Sequence, residues 1–404
     1  MSTNIIICQT GSRHRYLIPK VFEEAGLLSR LYTDTTTHSN VGRIAKICQQ
    51  IGFDSKVIRR LEKRNPDIPQ GKLYTTDTLF YKDKLLSFLP NSYEKRLNLL
   101  YYGFERQCIK WGVGDADCVY SMYFENMEFL RYAKSKGLKV VVDIYETPST
   151  YINLLREIDE NPEYAQYAGL RKTYEIKHKI RMHYIEDMLA LADYYTVPSK
   201  FVIKSLYEFK NFDENKVLFQ PYASSVTTAE YNYRPQKHKV IFVGNETVRK
   251  GVLYCAKAAT ILKQRYPDLQ FLMIGSDMDD LRDNPTFKDV IFTGVVDKAR
   301  LIEEYSTAEA YVFPTLYEGF AGTIIEAASC GCPIITTESS GADPEDFPAI
   351  YIQMRDVNAI VEAVTKIFED AAFRDNLSRR TYEYAKNLSP DSYSKSLISH
   401  FKNI

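Results

Sequence analysis

Glu318 and Glu326 stand on either side of the start of a short helical pattern in the stretch YEGFAGTIIEAASCGCP, Tyr317 to Pro333, with seven residues between them. Apolar AYVFP, from Ala310, runs into the loop Glu318-Gly319-Phe320-Ala321-Gly322. The pattern predicts a helix from Thr323 that stops at Gly331, a left-handed position, with Pro333 barring its continuation. The small face of that helix, Ala327, Ala328 and Ser329, suits close packing on a sheet. Its first amides then point out of the carboxyl edge, where open α/β sheets bind ligands and unpaired N–H groups favour an anion. The arrangement asks for phosphate. Thr323 and Glu326 also fit a capping box, in which the acid folds back onto its own helix N-terminus. The box accounts for one glutamate and leaves Glu318 unexplained.

A second element, Val243-Gly244-Asn245-Glu246-Thr247-Val248-Arg249-Lys250-Gly251, again joins a strand end to a helix. Two adjacent cations at a helix N-terminus oppose the dipole, by a few tenths of a kcal/mol each. An anion held between them reverses that sign; the plain alternative is an exposed basic turn. Gly11-Ser12-Arg13, after the first strand, is a single-glycine turn that can bring backbone amides near a ligand, without the further glycines of a dinucleotide loop or the lysine of a Walker loop. Asp277-Met278-Asp279-Asp280 has the carboxylates of a Mg²⁺ or Mn²⁺ site. These acids follow the strand end LMIGS and open a helix pattern, where aspartate complements the dipole, so no metal is expected. Cys330-Gly331-Cys332 lacks the second ligand pair of a zinc site.

The elements that must position these residues alternate along the chain. Strand-like runs NIIICQ from Asn4, ADCVYS from Ala116, LKVVVDI from Leu138, YYTVPS from Tyr194 and KVLFQP from Lys216 are nearly continuous in apolar residues, as in parallel sheets covered on both faces. Residues 222–238 have no apolar period and suit a linker. The alternation then restarts with KVIFVG, QFLMIG, VIFTG, AYVFP and PIITT. The expected class is α/β: a first unit over 1–222, a linker over 223–238, a second unit over 239–387, and residues 388–404 packing back on the first unit. The last helical patterns, Val357–Ala385 and Asp391–Phe401, break at Ser389-Pro390.

A chain of 404 residues suits two compact units. Lysine plus arginine equals aspartate plus glutamate at 52 each, so no global field recruits nucleic acid. MSTNIIICQT carries no secretory pattern and no run of eighteen apolar residues occurs, and the seven cysteines are scattered as reduced, buried thiols. A cytoplasmic protein is expected. One segment over 43–64 is basic and amphipathic, with Arg43, Lys46, Lys56, Arg59, Arg60, Lys63 and Arg64 among Ile44, Ile47, Ile51, Phe53, Val57, Ile58 and Leu61. It reads either as a solvated helix face or as a peripheral contact with the inner, anionic face of a membrane.

Taken together, the E-x7-E pattern, the strand–glycine–RKG element, the segment ADYYTVPSKFVIKSL from Ala192 and the opening QTGSRHRYLIPKVFEEAGLL resemble the retaining nucleotide-sugar glycosyltransferases of the GT-B fold, family 4. The resemblance spans most of the chain and is strongest from Val243 to Thr337. It implies two Rossmann-like domains facing across a cleft. It also implies Glu326 on the ribose hydroxyls, Glu318 against the donor sugar, and amides from Gly319 through Phe320, Ala321 and Gly322 to Thr323 on sugar and diphosphate. Lys250 would pair with the diphosphate, Arg249 would supply a second cation, and Gly11, Gly244, Gly275 and Val296 would line the donor. Carboxylates suit vicinal hydroxyls because each accepts two charge-assisted hydrogen bonds.

The sequence departs from the family in two places. Asn245 stands where many members carry arginine, and the strand VVVDIYETP offers Asp143, Tyr145 and Glu146 where many have a histidine; His14 is a further acceptor-side candidate. The implied activity is transfer of a hexose-type sugar from a nucleotide diphosphate to a hydroxyl on a glycan or lipid-linked acceptor, with retention and without metal or other cofactor, in surface polysaccharide or glycan biosynthesis. A sugar-phosphate synthase or epimerase on the same fold, and a catalytically silent scaffold, are the competing readings.

Overall fold

The computed structural model describes residues 3–53, 55–89, 93–224, 226, 230–245, 248–276, 281–402 and 404. Seven parallel strands, β1 (Ile5–Cys8), β2 (Leu28–Thr33), β3 (Leu73–Thr75), β4 (Cys118–Met122), β5 (Lys139–Asp143), β6 (Tyr194–Val197) and β7 (Val217–Phe219), form one sheet in the order β3-β2-β1-β4-β5-β6-β7. Six more, β8 (Lys239–Val243), β9 (Gln270–Ile274), β10 (Ile291–Gly294), β11 (Ala310–Phe313), β12 (Ile334–Thr336) and β13 (Ile350–Tyr351), form a second parallel sheet in the order β10-β9-β8-β11-β12-β13. In each sheet the order reverses between two central strands, β1 and β4 or β8 and β11, which opens a crevice at the carboxyl edge.

The apolar runs explain this architecture. Along β1, Ile5 and Ile7 enter one core while Ile6 and Cys8 enter another, and all four are fully buried, because successive side chains of a strand point to opposite faces. The helix Pro390–Phe401 crosses back to cover the Ile5 and Ile7 face. Its Tyr393, Leu397 and Phe401 are buried there, with the Phe401 ring 4.7 Å from that of Phe22. Ser389 accepts from the Ser392 amide and Pro390 sits in the first turn, the position where its missing N–H costs nothing.

Several boundaries differ from the sequence reading. Strands β2, β3 and β13 carry too short an apolar signal to stand out. The pattern from Val357 to Ala385 is two helices, Val357–Glu369 and Ala371–Ala385, because Asp370 leaves helical geometry and caps the second by accepting from the Phe373 amide. In the basic segment, Ile58 and Leu61 are buried and Arg64 turns inward to Asp34 at 2.7 Å, whereas Arg43, Ile44, Lys46, Ile47, Ile51 and Phe53 face solvent. The side chains of Lys56, Val57 and Arg60 lie outside the described residues. All seven cysteines are free thiols.

Replacing Phe401 by alanine removes a ring wedged against Phe22 and Tyr120. The expected cost is about 3 kcal/mol, read as a lower urea midpoint for the unit built on the first sheet. An unchanged midpoint would mean that the returning helix contributes nothing to that unit.

Candidate functional site

The site grows from two loops of the second sheet that leave adjacent strands. Between β8 and the helix Val252–Arg265, Gly251 adopts φ +71°, and a Cβ there would lie 2.1 Å from the Pro314 carbonyl oxygen. That close approach brings the loop onto the segment after β11. The Arg249 carbonyl accepts from the Leu316 amide (2.9 Å) and from Thr315 Oγ1 (3.0 Å), while Arg249 Nη1 donates to the Tyr317 carbonyl at 3.1 Å. The zipped loops place both cations on one acid. Glu318 Oε2 is 2.7 Å from Arg249, and its other oxygen is ion-paired with Lys250 Nζ.

Glu318 is buried, which by itself would raise its pKa; Arg249 and Lys250 overcome that penalty and hold the carboxyl below its ordinary range. The anion anticipated between the two cations is thus supplied by the protein itself. The triad keeps one net positive charge.

The E-x7-E loop is held in place from the other side as well. The amides of Glu318 and Ala321 donate to the carbonyls of Ser339 and Ser340, both at 2.9 Å. The following helix runs from Gly322 to Ser329, with Ala321 at its cap and no capping side chain. The capping box is therefore not formed. Thr323 Oγ1 is 2.8 Å from the Tyr311 hydroxyl, and Glu326, half-buried one turn on, acts with burial to raise the buried phenols of Tyr305 and Tyr311. Gly331 takes φ +74° as expected, and the Cys332 amide closes the helix end on the Ala327 carbonyl.

Gly244 and Gly275 meet at the ends of β8 and β9. A Cβ on Gly275 would fall 1.8 Å from the Gly244 carbonyl oxygen, and Asn245 Oδ1 accepts from the Ser276 amide at 3.0 Å. Asn245 thus ties two strand ends together at the position where many members of the resembled family carry arginine. Val296 is half-buried just beyond β10. Glu246, Thr247 and the acids Asp277 to Asp280 lie outside the described residues; among the described residues no group of three metal-binding side chains occurs.

The first sheet reaches the same place. A Cβ on Gly319 would lie 1.7 Å from the Tyr145 carbonyl oxygen, and Ser199 Oγ donates to the Gly319 carbonyl at 2.5 Å. The loop that holds Glu318 therefore rests on Tyr145, above which the Arg13 guanidinium lies 4.5 Å from the ring centroid. Arg13 is ion-paired with Glu125 at 2.5 Å. After it, His14, Arg15 and Tyr16 all take positive φ (46°, 52°, 61°), a conformation costing about 1–3 kcal/mol for each side-chain-bearing residue. The turn presents His14 and Arg15 to solvent, with the His14 ring 4.6 Å from Tyr222. Although the His14 ring is open to solvent, protein atoms crowd it, and that desolvation together with the Arg13 charge brings its pKa down to about 4.

Three candidates are engaged by other parts of the protein. The Gly11 amide is already donated to Asp34 at 2.9 Å. Glu146 turns to Arg181, itself stacked 4.1 Å over Tyr151. Asp143 is buried beneath the edge and accepts from Thr196 Oγ1 at 3.2 Å; burial raises its pKa to about 6. Arg13, Glu125, Arg181 and Ser199 were not anticipated. Of these only Ser199 carried a signal, as the helix cap in VPSK; it accepts from the Val202 amide.

Residues 237–370 match the family model described as "Glycosyl transferases group 1". The chain superimposes on sucrose-phosphate synthase from Thermosynechococcus elongatus with a TM-score of 0.66, 17% identity and 99% and 98% of the two chains covered. It superimposes on WaaG, a glycosyltransferase involved in lipopolysaccharide biosynthesis, with a TM-score of 0.61, 13% identity and 98% and 99% coverage. The chain has the GT-B fold, and its residues 237–370 match that glycosyltransferase family. In sequence this GT-B protein is 25% identical to an uncharacterized glycosyltransferase of Methanocaldococcus jannaschii over 176 residues, 40% of this chain and 44% of the relative. It is 24% identical to a capsular polysaccharide biosynthesis glycosyltransferase of Staphylococcus aureus over 238 residues, 52% and 60%. The chain thus spans about half the length of these curated relatives.

The Asp143 carboxyl of this GT-B protein carries a measurable consequence. Below about pH 3 it is protonated in folded and unfolded chains alike. As pH rises from its ordinary 3.8 to about 6, the unfolded chain releases a proton that the folded one retains, so stability falls; above pH 6 the full penalty applies. Asp143→Asn is expected to gain about 2–3 kcal/mol over the parent at pH 7.5 relative to pH 4, from urea midpoints. A difference independent of pH would show that Asp143 ionises freely.

Proposed function

We propose that the chain transfers a sugar from a nucleotide-diphosphate donor to a hydroxyl acceptor, with retention of anomeric configuration, in glycan or surface polysaccharide assembly. The observation that carries this reading is the triad of buried Glu318 with half-buried Arg249 and Lys250, which sits beside the helix Gly322–Ser329, whose cap residue makes no side-chain hydrogen bond, at the point where the second sheet reverses its strand order. A diphosphate leaving group gains negative charge as the glycosidic bond breaks, and fixed cations and amides can balance it without reorganising. In this reading the diphosphate takes Arg249 and Lys250 from Glu318. The freed carboxylate then accepts from donor-sugar hydroxyls, while Glu326, eight residues on, accepts from the ribose.

Tyr145, pressed on Gly319, and the exposed His14 and Arg15 form the acceptor side. His14, with its pKa drawn down to about 4, is neutral at physiological pH and is available as a hydrogen-bond partner, not as a fixed charge. Base, sugar and acceptor are to be read by thermal-shift and turnover screens. A nucleoside diphosphate at a hundred times its Kd adds about 2.7 kcal/mol of stability.

Two mutants separate the glutamates. Glu326→Ala is expected to weaken nucleoside-diphosphate binding at least tenfold in calorimetry, whereas Glu318→Gln spares the free nucleotide and lowers turnover of the sugar nucleotide. Equal losses for both ligands in both variants would sink this division of labour.

The charge balance gives a further expectation. Turnover persists in excess EDTA, and Lys250→Ala, which removes a charge-assisted contact of about 1.5–3 kcal/mol, slows it roughly ten- to a hundredfold. Activity lost in EDTA and restored by Mn²⁺, with a near-normal Lys250→Ala enzyme, would overturn the cation-based mechanism.

A further inference from the structure

Exposed apolar side chains are unevenly distributed over this molecule. Of sixteen large hydrophobic residues exposed among the described residues, eight fall between residues 44 and 89. They belong to two neighbouring helices, Asn40–Gln50 and Thr78–Ser87, and to the residues that directly follow each. The helix Thr78–Ser87 lies beside the helix Asn40–Gln50: Phe80 packs on the small cluster of Val41, Ala45, Ile58 and Leu61, and the Val41 amide donates to Asp77 Oδ2 at 3.0 Å.

Both helices are apolar on their outer as well as their inner sides. On Asn40–Gln50 the inner residues are Val41 and Ala45, while Ile44, Ile47 and Ile51 form an outer stripe about 60° wide at 3.6 residues per turn. Phe53 follows it, 68% exposed. On Thr78–Ser87 the buried anchor is Leu79, while Tyr81, Leu85 and Phe88 share an outer arc of similar width, with Leu85 and Phe88 71% and 83% exposed. The charges beside these stripes are positive. Arg43 borders the first, and Lys82 and Lys84 border the second on opposite sides; all three are exposed. The nearby Asp83 is neutralised by Arg96 at 2.7 Å.

We infer that the helices Asn40–Gln50 and Thr78–Ser87 form a docking surface for an anionic lipid bilayer, into whose headgroup region Ile44, Ile47, Ile51, Leu85 and Phe88 insert. The lysine-flanked stripe decides the occupant. Lysine is depleted from the desolvated centres of protein interfaces, whereas at a bilayer its stem covers apolar surface while its ammonium reaches the phosphates. Each basic residue held near an anionic surface adds to the attraction, and salt screens it. The inference stands apart from the proposed transfer reaction, because vesicle binding needs neither donor nor acceptor.

The test is co-sedimentation of the full chain with vesicles of phosphatidylcholine alone and of phosphatidylcholine with 30% phosphatidylglycerol. The expected result is binding to the anionic vesicles at least tenfold tighter than to the neutral ones, falling severalfold between 50 and 300 mM salt. Leu85→Ser with Phe88→Ser should lower that binding at least tenfold, and Lys82→Glu with Lys84→Glu should lower it and flatten its salt dependence. These side chains are exposed, so circular dichroism and melting temperature should match the parent, and a folded variant that keeps parental binding refutes the surface. Equal binding to both vesicles, or none to either, overturns the inference. So does a dimer in sedimentation velocity that Leu85→Ser with Phe88→Ser returns to monomer, which would assign the stripe to a second copy of the chain.

Discussion

Everything around the cleft depends on one buried charge arrangement, a single carboxylate shared by two cations. Taking Glu318 out of water carries a penalty of several kcal/mol, and it is tolerable only because Arg249 and Lys250 are both within ion-pair reach. Those cations come from a different βα turn, so the triad can exist only if the two loops are locked together. The Arg249 carbonyl does this, accepting from Leu316 and Thr315. Arg249 thus serves twice: its backbone fixes the loop and its side chain supplies charge. Two cations and one carboxylate thus meet beside a helix N-terminus whose cap residue, Ala321, offers no side-chain hydrogen bond.

Glycine makes that locking geometrically possible. At Gly251, Gly275, Gly319 and Gly341 an added Cβ would lie 2.1, 1.8, 1.7 and 2.3 Å from a carbonyl oxygen of a different segment. Backbone cannot retreat as a flexible side chain can, so no larger residue fits without moving a loop. Gly319 differs from the others because its contact is with Tyr145 of the first sheet. The residue next to the shared carboxylate is also one of the residues on which the two units touch, so a shift of one sheet against the other is felt at Glu318.

How much of this could be read from the sequence follows from the range of the forces involved. The alternation of strands and helices, apart from β2, β3 and β13, the loop of Glu318 and the stop at Gly331 are set by local pattern and backbone conformation, and they were legible. The resemblance to family 4 supplied the cleft. The pairing of Glu318 with the two cations was only half legible: the frustration of Arg249 and Lys250 was visible in their adjacency, but its relief by a residue 68 positions away was not. Asp143 and Glu146 were acceptor-side candidates because many family members have a histidine on that strand end, and their partners Thr196 and Arg181, distant in sequence, could not be foreseen. The failed capping box at Thr323 has the same cause, since the helix starts earlier when Ala321 is held by the Ser340 carbonyl.

The contacts between the two sheets are not spread evenly around the cleft. On one flank the helix Thr150–Glu160 of the first unit buries Tyr151, Leu154, Leu155 and Ile158 in the core of the second. Its fully buried Glu157 binds Arg355 at 2.7 Å and the Tyr254 hydroxyl at 2.5 Å. Separating the sheets there would expose four apolar side chains and strip a buried carboxylate of its partners, and the second loss alone is of order 3–5 kcal/mol. The ion pairs of Lys200 with Asp343 and of Lys204 with Glu338 are exposed at the lysine and contribute little each, so the apolar helix governs. The strained turn of His14 and Arg15 takes no part in these contacts among the described residues, and both side chains are open to solvent. Any movement of one sheet against the other therefore has to keep the Thr150–Glu160 contacts or break them at that cost.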